Sequence, residues 1–256
     1  MKKIIALFLT FIMLLSFAGC TAKTDSAYVK SNGKLIVGIT DFEPMDYKDA
    51  NGEWIGFDAD MAKAFAESLG IKAEFIEIDW DNKVMELDGK TIDCVWNGMT
   101  LTDEVKSSMD CSDPYCNNAQ VVVVKSDVAD KYQTAESCKE LKFAVEAGSA
   151  GKKIAEENGF KFTEVKDQAT ALMEIASGTS DAAIIDLLMA DAMIGEGTSY
   201  ANLTYTAKLN SEEYGVGFRK GSDLVALYNS FYKDAVASGK VDEIAAKYDV
   251  SAAIIK

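Results

Sequence analysis

Two hydrophobic rhythms alternate along the chain. "KLIVGI" (34–39) is a short apolar run, and "AEFIEI" (73–78) alternates apolar with other residues, so both predict strands. Between them, "DADMAKAFAESLG" (58–70) follows Phe57 with Met61, Phe65 and Leu69 at a spacing of four, and Gly70 stops the run. That spacing predicts an amphipathic helix. The rhythm then repeats. Residues 81–88 predict a short helix, "IDCVW" (92–96) a buried strand and "AQVVVV" (119–124) a long β-branched strand. "FAVEAGSAGKKIAEENG" (143–159) reads as strand, glycine-rich turn, helix and glycine stop. "QATALMEIASG" and "DLLMADAMI" predict helices around the strand "AAII" (182–185), and "YGVGF" (214–218) predicts a strand. Helices over about 222–238 and 240–248 finish the chain. Strands separated by helices imply right-handed crossovers and mostly parallel sheets, hence an α/β fold.

The first twenty residues depart from this pattern. Lys2 and Lys3 precede the apolar run "IIALFLTFIMLLSFA", and "FAGC" closes it with small residues and Cys20. The run is shorter than the ~20 residues a spanning helix needs and predicts an export signal over 1–20. "FAGC" resembles the lipobox of bacterial lipoproteins, with Phe17 in place of the usual leucine. The resemblance implies cleavage before Cys20 and acylation of that cysteine. Residues 21–32 are small and polar and read as a tether.

Charge narrows the partners. The formal net charge is −15, and loss of Lys2 and Lys3 makes it two units more negative. Such a surface excludes nucleic acid and broad adhesion to anionic lipid. Histidine is absent. The four cysteines after Cys20 (Cys94, Cys111, Cys116 and Cys138) form no CxxC pair, so a zinc site is not expected. Those cysteines read as small buried hydrophobes, with one disulfide as the alternative outside the cytosol. Without histidine, Ser-His and Cys-His nucleophile chemistry is excluded.

"GITDFEPMDYKDANGEWIGFDADMAKAFAESLG" resembles the start of solute-binding protein family 3, the polar amino-acid-binding proteins that feed ABC importers. "KTIDCVWNGMTLTDE", "SDPYCNNAQVVVV", "VEAGSAG", "SGTSDAAIID" and "GKVDEIAAKYDV" match later stretches of that family in order, over roughly 33–250. The resemblance implies a two-lobed periplasmic-binding-protein-like fold with two hinge strands and a central ligand cleft. Lobe 1 would be 33–118 plus 213–256, and lobe 2 would be 119–212. It also implies a monomer outside the membrane, anchored by lipid and delivering a small amino compound to an ABC permease, with no cofactor, metal or catalysis. A cyclohexadienyl-dehydratase-like enzyme and a ligand-binding sensor are the alternatives.

Carried over residue by residue, the resemblance places ligand contacts on Asp41, Phe42 and Trp80, and on the strand-end residues Asn97, Gly98 and Thr100. In the second lobe it places them on Glu146, on the turn Gly148, Ser149, Ala150 and Gly151, and on Asp186, where the family holds the α-ammonium. Most have a plainer alternative. Phe42 and Trp80 fit a core, Asp186 fits the N-cap of the helix that follows, Gly148–Gly151 fit a plain turn, and Asp41 and Glu146 fit solvated loop acids. Trp96 reads as core. The departure is Val105. The family pattern T-x-x-R puts an arginine there, forking onto the ligand carboxylate. Lys106 is adjacent but points about 100° away on a helix. Valine there, with Asp41, Glu146 and Asp186 nearby, predicts a cationic ligand whose carboxylate is absent, masked or held by backbone N–H groups.

Overall fold

The computed structural model describes residues 24–256. The predicted signal peptide and Cys20 lie outside them. The run 34–39 forms the strand Lys34–Ile39, in which Leu35, Val37 and Ile39 are fully buried. It pairs in parallel with Lys72–Glu77 and Cys94–Val95. Gly217–Phe218 and Asp110–Cys111 complete a five-stranded sheet. The helix Phe57–Ser68 packs on this sheet, and its buried Phe57, Met61 and Phe65 keep the predicted spacing of four. Trp96 is 1% exposed and packs with Phe65, Tyr115 and Tyr228, as a core residue.

A second five-stranded sheet runs in the order Lys161–Val165, Lys142–Glu146, Ala182–Asp186, Gln120–Lys125, Leu203–Lys208. Residues 120–124 are buried throughout. This explains the unbroken apolar run, since a strand covered on both faces has no polar side.

Two short strands, Cys116–Asn118 and Glu212–Tyr214, pair antiparallel where the chain passes from the first sheet to the second and back. These crossings correct the expectation of mostly parallel sheets. The chain enters the second sheet on Gln120–Lys125, antiparallel to both its neighbours. It re-enters the first on Gly217–Phe218, also antiparallel to both. "YGVGF" is correspondingly split between the hinge strand and Gly217–Phe218.

The expected tether is also corrected. Residues Asp25–Asn32 form a helix, with the Thr24 hydroxyl accepting from Ala27 N and Gly33 closing it at φ 70°. Val29 is fully buried, Asp25 pairs with Arg219 at 3.0 Å, and Ser26 N donates to Asp223. One anchored apolar residue and two polar docking contacts hold a segment whose composition alone reads as solvated. Cys94, Cys111, Cys116 and Cys138 are free thiols, the first, third and fourth buried. Among the described residues no cluster of acid or thiol side chains could hold a metal ion, and no helix is long and apolar enough to cross a membrane.

Candidate functional site

The carboxyl ends of the parallel strands in the two sheets face one another across a cavity of about 370 Å³. That is near the lower end of the ~300–1,000 Å³ typical of small-molecule sites. Its walls bring together eleven of the residues singled out from sequence: Phe42, Trp80, Asn97, Gly98, Thr100, Val105, Glu146, Gly148, Ser149, Ala150 and Asp186. Asp41 and Gly151 stand off the cavity. Asp41 is exposed, because side chains alternate along extended backbone and Thr40 and Phe42 take the inward side. Gly151 is buried beneath the turn, where an added Cβ would meet Ile184 O at 3.0 Å. Its role is close helix–strand packing.

In the first lobe, Asn97 spends its whole amide on the protein. Its Oδ1 accepts from Thr40 N and Oγ1, and its Nδ2 donates to Thr40 O and Asp46. Asn97 therefore fixes the strand end instead of offering a free amide. Gly98 at φ 54° lets Phe42 close over it, since an added Cβ would meet Phe42 Cε1 at 2.4 Å. Gly98 N donates to Asp58, which also accepts from Tyr115 OH. Asp58 and Asp46 are both fully buried behind the site. Burial pushes Asp58 up to about 7, and burial with the Asp58 charge raises Asp46 well above its ordinary 3.8. Thr100 Oγ1 donates to Glu212 on the hinge. Val105 is 8% exposed and packs with Trp80 in an apolar cluster, as one wall of the cavity. Lys106 is exposed.

In the second lobe, Ser149 caps the helix Ala150–Glu157 by accepting from Lys152 N. Gly148, at φ 68°, lies against the first lobe: an added Cβ would sit 2.7 Å from Asp81 Cα. Glu146 is 3% exposed, and its Oε1 has no hydrogen-bond partner among the described residues. Burial, then the charges of Asp186 and Asp167, push it up to about 8. Asp186 is 4% exposed and makes no side-chain cap bond, so the N-cap alternative does not describe it. Its carboxylate accepts from Asn118, Tyr214 and Gln168. Asn118 and Tyr214 lie on opposite hinge strands, so Asp186 ties both crossings to the second sheet. Burial and Glu212 raise it to about 7.

Sequence reasoning missed Lys83. It is 8% exposed, lines the cavity, and donates to Trp80 O at 3.1 Å and Gly148 O at 2.9 Å. The signal was present: Lys83 lies three residues after Trp80 and four before Leu87, both buried, so its helical phase faces inward. A second link between the lobes, Lys166 to Glu77 at 2.5 Å, also went unread.

The sequence matches the family of bacterial extracellular solute-binding proteins, family 3, over residues 35–251. The chain belongs to this family. Among its relatives, the arginine-binding extracellular protein ArtP of Bacillus subtilis (strain 168) is 28% identical, aligned over 97% of this chain and 98% of that protein. The P235GK mutant of ArgBP from T. maritima superposes with a TM-score of 0.82 at 32% identity, covering 88% of this chain and 98% of that one. The ancestral amino acid-binding protein AncCDT-1, described as a precursor of cyclohexadienyl dehydratase, gives 0.79 at 33% identity, covering 87% and 98%.

Proposed function

We propose that the protein is the extracytoplasmic, lipid-anchored substrate-binding component of an ABC importer. It captures an amino acid or related cationic amine by hinge closure. Bodies 33–118 plus 213–256 and 119–212 move about the strands Cys116–Asn118 and Glu212–Tyr214, and the monomer hands its ligand to a permease. The observation that carries the reading is Glu146, a buried carboxyl at the cavity wall with an unpartnered oxygen, beside Asp186. A ligand ammonium supplies the missing partner, and its charge drives the neutral acid to ionise. Trp80 and Phe42 add apolar and π faces. Relatives named for binding arginine support the cationic class.

Native mass spectrometry of gently purified protein tests this. The expected result is a co-purifying amino compound of amino-acid size, bound at least tenfold more weakly by Glu146→Gln. A wild type stabilised most by glutamate or aspartate would overturn the cationic class. The same spectrum separates the enzyme reading, which a neutral Glu146 at pH 7 favours. A binding protein returns its ligand at unchanged mass, and a dehydratase does not.

Anchoring rests on "FAGC" and has its own test. Cys20→Ser is expected to release the protein to the medium or leave it uncleaved. A cleaved variant that stays on the membrane would refute acylation at Cys20.

A further inference from the structure

The cleft contains one cation built as the acids are built. Lys83 begins the helix Lys83–Asp88 and reaches across the cleft to the Gly148 turn of the second lobe. Its two hydrogen bonds are both to backbone carbonyls, Trp80 O and Gly148 O. No carboxylate of the described residues lies within 4.0 Å of its ammonium. Among the described residues the third N–H has no carbonyl or carboxylate acceptor, and the ammonium lies 5.0 Å from the centroid of the Trp80 ring, in a residue more than nine-tenths buried at the cavity wall. A buried ammonium in that state costs free energy unless something else supplies the counter-charge. Glu146 opposite presents the reverse defect, a buried carboxyl oxygen without a donor. The two attract at longer range, but they do not pair.

The other cations at or near the cleft are paired or exposed. The chain has a single arginine, Arg219, and it is held by Asp25 and Asp93 at 3.0 Å each and by the carbonyls of Leu87 and Ile92. Lys152 and Lys153 also line the cavity, but Lys152 pairs with Glu164 at 3.3 Å and Lys153, like Lys106, is exposed, so neither is a buried cation lacking a counter-charge. Val105 packs into the Trp80 cluster, which also takes in part of Val84, the residue after Lys83.

We propose that Lys83 is the specificity-determining residue that receives the ligand's carboxylate. This rests on the amino-acid reading above. A zwitterion then fits with its carboxylate on Lys83, in the first lobe, and its ammonium on Glu146 and Asp186, in the second. Each end satisfies a group that the protein leaves incomplete. The ligand so held bridges the lobes, which is what closure requires. Lys83 thereby replaces the expectation, drawn from Val105, that the preferred ligand lacks a free carboxylate.

The test pairs each free acid with its carboxamide, which keeps the ammonium and removes the negative charge. L-arginine with L-argininamide, L-histidine with L-histidinamide, and L-glutamine with L-glutaminamide are titrated calorimetrically into wild type, Lys83→Met and Lys83→Arg. The expected wild type binds at least one free acid tenfold or more tightly than its amide. Lys83→Met should lose about tenfold to a hundredfold for that acid, the scale of one charge-assisted hydrogen bond, and change less than threefold for the amide. Lys83→Arg should retain part of the preference. Lys83→Met weakening acid and amide equally would show a latch between lobes and overturn the assignment, as would a preserved preference for the acid. A wild type that binds neither member of any pair would overturn the amino-acid reading itself. Urea unfolding of Lys83→Met is expected to match wild type or exceed it, because methionine fills the same space without an unpaired charge.

Discussion

Asp186→Ala is expected to lower both ligand affinity and the stability of the empty protein. Its carboxylate accepts from Asn118, Tyr214 and Gln168, all buried. Alanine leaves three donors to find water or stay unpaired, and each orphaned donor costs about 1–3 kcal/mol. A stability loss of about 3 kcal/mol follows, partly offset because removing one acid relieves Glu212 and Glu146. Binding loses a further ~2 kcal/mol or more, since the ligand ammonium gives up a buried counter-charge. Asp186→Asn separates the two effects. It keeps an acceptor for the hinge donors but carries no charge, so it should recover much of the stability and little of the affinity. Urea unfolding and calorimetry on both variants measure this. Wild-type affinity in Asp186→Ala alongside lowered stability would leave Asp186 as a hinge tie and nothing more.

The periodic parts of this fold were legible because periodicity survives folding. Phe57, Met61 and Phe65 face the sheet at the spacing that predicted them, and the run 120–124 is buried as its β-branched composition requires. The helix Asp25–Asn32 was not legible, since its anchoring lies in contacts to Arg219 and Asp223, nearly two hundred residues away. The same limit applies to the site. Phe42, Trp80, Glu146 and Asp186 converge on one cavity, whereas Asp41 fell one residue out of register and points to solvent. Asn97 and Gly98 line the same cavity. Their support by the fully buried Asp46 and Asp58 was hidden, because an acid in a loop or at a helix start ordinarily reads as solvated. Lys83 was missed for a related reason: a lysine reads as surface until its helical phase is compared with that of its neighbours.

Acidification from pH 8.5 to 5.5 is expected to stabilise the empty protein and weaken ligand binding, so the two melting curves converge. Four acids at or behind the cleft have folded-state values above their ordinary ones. Glu146 rises to about 8, Asp186 and Asp58 rise to about 7, and Asp46 is raised well above 3.8, all chiefly by burial. A raised value means that the fold prefers the neutral form. The contribution of each to stability is therefore complete below the unfolded-state value near 4 and is lost as the pH rises through its folded-state value, about 7 for Asp58 and Asp186 and about 8 for Glu146. Over this window Asp58 and Asp186 each return about 2 kcal/mol on acidification and Glu146 about 3 kcal/mol, because each tenfold gain in proton affinity on folding is worth about 1.4 kcal/mol, and Asp46 acts in the same direction. The acids with lowered values, such as Asp60, Glu77 and Asp223, oppose this only below about pH 4, where their partners are lost. Net charge acts with the trend, since protonation relieves the self-repulsion of a −15 chain. Ligand binding has the opposite sign. An ammonium requires Glu146 ionised, so affinity should fall roughly tenfold per pH unit below 8 while the empty site stays protonated. Scanning calorimetry with and without a saturating ligand, at pH 5.5, 7 and 8.5, reads both effects. An empty-protein Tm that falls on acidification would show that these acids are ionised in the fold. A ligand-induced rise in Tm that does not shrink would show that the ammonium is held elsewhere than on Glu146 and Asp186.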